Sequence, residues 1–128
     1  MTSRCFVFGS NFDGRHGKGA ALYAKLNYGA VYGVGVGRTG NAYAIPTKDG
    51  RLRTLPLTVI KQYVDGFVEY AKANPDLEFN VTRVGCGLAN LCDSAVAPLF
   101  SSASENCFFD EFWRTYLGDS KNYWGTYA

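Results

Sequence analysis

The sequence predicts an α/β domain of three layers, α-β-α, around a mixed, mostly parallel sheet. Three observations carry that expectation. Short apolar runs suited to buried strands recur at Arg4–Phe8, Ala42–Ile45 and Asn106–Phe109. Helical-period segments separate them, Pro56–Ala73 above all. Glycine clusters stand at several junctions, and 128 residues suit one domain with a real core, so 1–128 is read as a single unit.

Taken in order, Arg4–Phe8 is a strand and Gly9–Lys18 a turn-rich loop. Gly19–Tyr28 follows as a helix, with Leu22, Tyr23 and Leu26 on one face and Gly29 as its C-terminal cap. Val31–Gly40 alternates glycine with other residues and predicts a weak, irregular strand, and Ala42–Ile45 a short one stopped by Pro46. In Pro56–Ala73 the residues Leu57, Ile60, Val64, Phe67, Val68 and Ala71 form one stripe; Pro56 suits the first helical position and Asn74-Pro75 ends the segment. Glu78–Val84 is the next strand, Ser94–Ser101 a short helix and Asn106–Phe109 the last strand. The tail 110–128 has no assignable period; the aromatics from Phe108 to Tyr127 are candidates to stack an adenine, most of them being read as core and cover.

Composition narrows the function. Hydrophobic residues at 47% and aromatics at 16% indicate a globular chain, and no apolar run approaches a membrane span. The Cys5–Phe8 run is too short for a signal-peptide core, so the expected location is cytoplasmic. Four cysteines without a CxxC pair, and one histidine, give no zinc pattern; reduced thiols are expected and neither metal nor cofactor is implied. A net charge of +2 gives no nucleic-acid footprint.

Two glycine-rich turns carry the chemistry. Gly9–Gly19 passes from a strand into a helix start, where free N–H groups and the helix dipole favour an anion. It is not a P-loop, since Phe12 and not glycine stands five residues before Gly17. Asn11 offers a donor and an acceptor to a sugar hydroxyl, while His16, a lone histidine expected at the surface, is read as incidental. Gly35-Val36-Gly37-Arg38-Thr39-Gly40 matches G-x-G-x-x-G literally, but a strand and not a helix follows, which excludes the dinucleotide fingerprint. Val84–Asn90 has the strand–loop–helix setting that segment lacks, and its glycines allow several N–H groups to face a diphosphate. Cys86 there has no evident base beside it and is read as a small buried hydrophobe.

These segments together resemble a macrodomain, the ADP-ribose-binding module. Gly17-Lys18-Gly19-Ala20-Ala21 is similar to the G-x-G-I-A turn of the branch that removes terminal ADP-ribose from acidic side chains through a lysine-linked intermediate. Tyr43–Lys48 is similar to its Y-x-I-T-K segment, with Pro46 inserted, and Arg83–Leu88 to its R-I-G-C-G-L loop. Order and spacing agree across roughly residues 4–109. Small macro-like proteins of this kind also occur in phages and prophages.

The resemblance implies ADP-ribose, a related nucleotide or an ADP-ribosylated protein as partner. It implies that Asn11, Gly17, Lys18, Gly19 and Ala20 hold the distal ribose and a phosphate. Gly85, Cys86, Gly87, Leu88, Ala89 and Asn90 would cradle the diphosphate, Lys48 would match the lysine nucleophile of an ADP-ribosyl hydrolase, and Phe109 would meet adenine. Two departures stand out: Ala89 replaces the aspartate that follows G-C-G-L in that branch, and no acidic residue precedes the first strand for adenine. The alternatives are a non-catalytic protein sequestering a cyclic ADP-ribose-type signal, a phosphatase for ADP-ribose 1″-phosphate, and a structural domain whose glycines serve turns only.

Overall fold

A computed structural model describes residues 4–127. Its centre is a six-stranded sheet in the order β2-β3-β1-β4-β5-β6. The strands are β1 (Cys5–Asn11), β2 (Gly37–Thr39), β3 (Ala42–Lys48), β4 (Phe79–Val81), β5 (Cys107–Asp110) and β6 (Asn122–Gly125). Only the β2–β3 pair is antiparallel, so the sheet is mixed and mostly parallel, as expected.

Alternation along β1 sends side chains to two unequal cores. Cys5 and Val7 join the larger one, with Tyr43 and Ile45 from β3 and Phe79 and Val81 from β4. Helix α2 (Leu57–Ala73) closes it with Ile60, Val64, Phe67, Val68 and Ala71, the predicted stripe save Leu57, which is exposed. Phe67 lies edge-on to Phe79 and near Phe100 and Tyr43, all buried. Burial of each such side chain contributes roughly 1.5–3 kcal/mol. The short helix α3 (Asp93–Val96) and the 3-10 turn Ala97–Phe100 cover the rest of this face.

The second core is thin. Phe6, Phe8, Ala42 and Ala44 lie under α1 (Gly19–Asn27), which approaches through Ala21 and Ala24. The expected face of Leu22, Tyr23 and Leu26 is therefore not the buried one: Leu26 is 70% exposed and Tyr23 39%. Two wide phenylalanine rings on the sheet leave room only for alanines on the helix above them. Gly29, at φ +77°, does turn the chain after the helix, and Ala30 N–H returns to the Ala24 carbonyl at 3.3 Å.

Other boundaries shift for identifiable reasons. Pro46 does not stop β3, which continues to Lys48. β2 pairs only with Ala42–Ala44, so the outer edge of β3 is open at Pro46 and a missing N–H forfeits no ladder bond there. Of Val31–Gly40 only Gly37–Thr39 is a strand. β4 ends at Val81 because Thr82 turns back, its N–H and hydroxyl both donating to the Val7 carbonyl; Val84 stays buried beyond the strand. The unassigned tail holds the turn Glu111–Trp113, helix α4 (Arg114–Leu117) and edge strand β6, with Trp113 wholly inside the larger core.

This topology opens a crevice. β1 and β3 are neighbours, yet β1 leads to α1 on one face and β3 to α2 on the other. In open α/β sheets ligands bind where adjacent strands send their chains to opposite faces.

Candidate ligand cleft at the strand ends

A cleft of about 650 Å³ occupies that place, within the range of small-molecule and cofactor sites. Its floor is the ends of three strands: Gly9, Ser10 and Asn11 of β1, Thr47 and Lys48 of β3, and Thr82 and Arg83 just past β4. Register places Asn11 directly beside Lys48, next to an irregularity at Ser10.

The Gly17–Ala21 turn forms one wall. Lys18 is the N-cap of α1 in an extended conformation, and no side chain caps the helix. The first N–H groups of α1 are thus left open beside the cleft, and the first turn has no acidic residue to compete for them. The Gly85–Ala89 turn forms the other wall. It is closed by Cys86 N–H to the Arg83 carbonyl, Asn90 N–H to Gly87 and Leu91 N–H to Gly85. Those bonds leave the N–H groups of Gly87, Leu88 and Ala89 without a protein acceptor among the described residues.

Within each turn the two glycines differ. Gly85 sits at φ +78°, and a Cβ there would come within 2.7 Å of Leu91 Cδ1; Gly19 is at φ +59°. The backbone itself requires glycine at both. Gly17 and Gly87 have no such need: neither has a positive φ, and a Cβ on either would meet no protein atom within 4 Å. Both line the cleft.

Electrostatics point the same way. Arg15, Lys18, Lys48 and Arg83 line the cleft, and no aspartate or glutamate does among the described residues. The ammonium groups of Lys18 and Lys48 have no partner there. Arg83 is held by a two-pronged pair with Asp93 at 2.6 and 2.7 Å and lies over the Phe112 ring. Asp93 also accepts from Trp113 Nε1 at 2.7 Å. The Arg83 bond, followed by that of Trp113, holds its carboxyl below the usual range, so it is a fixed anchor rather than a free base.

The cleft is thus lined by cationic side chains and open N–H groups. No protein-family model matches the chain, and no curated protein does. Among solved structures, it is similar to the structure of a protein of unknown function from Bacteroides thetaiotaomicron, with TM-score 0.54 and 16% identity. The match covers 79% of this chain and 81% of that one, a likeness that extends to the fold alone.

Most of the residues singled out from sequence meet in this cleft: Lys48, Gly17–Ala20 and Gly85–Ala89 all line it. Asn90, exposed at φ +61°, does not. Phe109 is also excluded; it is fully buried in the larger core against Phe100 and Trp113, because its strand position faces α2. Asn11 does line the cleft, but its carboxamide is engaged in shaping the loop. Its Nδ2 donates to the Arg15 carbonyl at 3.0 Å, and its Oδ1 accepts from Arg15 N–H at 2.9 Å.

His16 is not at the surface. It is fully buried, edge-on to Phe8, with Nε2 3.3 Å from Ser10 Oγ and Nδ1 without a partner of good geometry. Burial first, then the Lys25 charge, lowers its pKa against a smaller opposing contribution from the Val34 main chain, so it is neutral at pH 7. Burial chiefly, and next the Asp93 charge, raises the Cys86 thiol to about 12; its side chain is half-buried in the cleft wall, not fully buried as expected. Tyr32, Leu52 and Tyr127 also line the cleft. They come from distant stretches without a local motif; only Tyr127 stands out in the sequence, as one of the tail aromatics.

Proposed function

We propose that this chain binds ADP-ribose or an ADP-ribosyl derivative in the cleft and retains it without turnover. The observation that carries the reading is the pair Gly17 and Gly87, one on each wall, which the fold leaves free to bear a side chain and which nonetheless have none. A ligand passing close to both turns accounts for that. Four cationic side chains and two sets of open N–H groups suit a diphosphate. The order and spacing of the three motifs make ADP-ribose the preferred diphosphate.

Retention is favoured over hydrolysis because, among the described residues, no carboxylate lines the cleft to activate water or a leaving group. Ala89 is buried where the resembled branch has aspartate, and Asp93 is held by Arg83 and Trp113. In this reading Lys48 serves as a cation for the ligand's phosphates.

Calorimetric titration with ADP-ribose, its 1″-phosphate and cyclic ADP-ribose tests the proposal. Saturable heat with ADP-ribose, and no release from an ADP-ribosylated glutamate substrate, is expected. Absence of heat with all three overturns the binding reading; release that disappears in Lys48→Ala overturns retention and restores the lysine as a nucleophile.

A further inference from the structure

The hairpin that follows β3 carries its glycine in the wrong place for its own turn. Asp49 N–H donates to the Arg53 carbonyl at 2.8 Å, Leu52 N–H donates to the Asp49 carbonyl at 3.0 Å, and Lys48 pairs with Thr54 beyond them. A three-residue loop of this kind ends on a residue with positive φ, which glycine adopts without strain. Here that residue is Leu52, at φ +62°, while Gly50, two positions earlier, has no positive φ. A leucine in the left-handed region is strained.

The hairpin is held against that strain from three sides. Asp49 Oδ1 accepts from Arg51 N–H at 2.8 Å and Arg53 N–H at 3.0 Å, and its Oδ2 accepts from Arg53 Nε at 2.9 Å. Arg15, in the first glycine-rich loop, donates to the Gly50 carbonyl. Thr54 Oγ1 donates at 2.9 Å to the Ala89 carbonyl of the second. Burial in the fold does not explain the strain, since Leu52 is 48% exposed and joins neither core. It lines the cleft instead, an alkyl group among Arg15, Lys18, Lys48 and Arg83.

We infer that Leu52 is a specificity-determining contact of the cleft, an apolar wall for a ribose ring of the ligand, and that Asp49 and Thr54 are its positioning residues. This rests on the nucleotide reading of the cleft. The cationic turns take the diphosphate, and a leucine suits the neighbouring part of the nucleotide that carries no charge. Against a phosphate its alkyl group costs desolvation, whereas against the C–H face of a sugar it gains by burial. Strain tends to be kept where a ligand is clamped.

The test is calorimetric titration of ADP-ribose, at low and high salt, into the full chain and three variants. Leu52→Gly and Leu52→Asn both suit a positive φ and both remove the alkyl group. Each should melt no lower than wild type and bind ADP-ribose about fivefold more weakly, and Leu52→Met should stay within about twofold. The deficit should be the same at both salt concentrations, because an apolar contact is not screened. ADP, titrated in parallel, identifies the ring: a deficit shared by ADP assigns the ribose of the adenosine half, and one confined to ADP-ribose assigns the terminal ribose. Unchanged affinity in both the glycine and asparagine variants overturns the inference. So does a lower melting temperature in both, which would make Leu52 a residue of the fold, or a deficit that shrinks with salt, which would mean that it acts through the cations. If wild type does not bind ADP-ribose, the nucleotide reading falls and this inference with it; if wild type binds and Leu52 is indifferent, only the inference falls.

Discussion

The two glycine-rich turns come from different parts of the chain, yet each contains the same division. Gly19 and Gly85 are glycine because the backbone there has a positive φ, and at Gly85 a Cβ would collide with Leu91. At Gly17 and Gly87 φ is not positive and a Cβ would meet no protein atom within 4 Å, so the fold itself does not require glycine there. The first pair is required by the backbone of the turns, and the second lines the cleft without a side chain. A glycine count does not separate these roles; φ together with the space around a would-be Cβ does.

Gly85→Ala should lower stability by about 2 kcal/mol or more, from left-handed strain plus the Leu91 contact, read by urea unfolding. A loss below about 0.5 kcal/mol would show that the backbone does not need glycine there. Gly17→Val should behave oppositely: stability within about 0.5 kcal/mol of wild type, and ADP-ribose affinity lower by roughly tenfold or more. A folded variant with unchanged affinity would remove that turn from the ligand. Lys48→Ala should reduce affinity by several-fold, about 1 kcal/mol, with the deficit shrinking at high salt. A deficit independent of salt would contradict a cation acting on phosphate.

The smallest effect concerns His16. Its folded pKa is lowered from 6.5 by burial, so below pH 6.5 the unfolded chain binds a proton that the folded chain refuses. The stability associated with neutral His16 is full above that pH and declines as pH falls through it, by at most about 1.4 kcal/mol per pH unit. As the chain has one histidine, unfolding at pH 7.5 and 5.5 isolates it from the carboxylates. Equal stability at the two values would mean that His16 takes up its proton in the folded state.

Legibility followed how local each signal is. β1 and α2 were readable because a continuous apolar run and a six-residue stripe are written in consecutive turns of chain. The buried face of α1 was not, since Ala21 and Ala24 carry little hydrophobic signal and their partners Phe6 and Phe8 lie on another element. β6 was hidden because Asn122–Gly125 is a half-covered edge strand without alternation. In the cleft, the turns were legible from their own residues and Tyr127 only as one of several tail aromatics, whereas Tyr32 and Leu52 arrive by topology alone. Phe109 was placed near the ligand and proved core, since neighbouring residues on β5 face opposite sides of the sheet.

The most direct test is the calorimetric titration of ADP-ribose into wild type and Gly87→Val, with melting temperatures measured in parallel. Saturable binding to wild type, its loss or severe weakening in Gly87→Val, and melting temperatures that agree are expected. Equal binding by both proteins, or none by wild type, would contradict it.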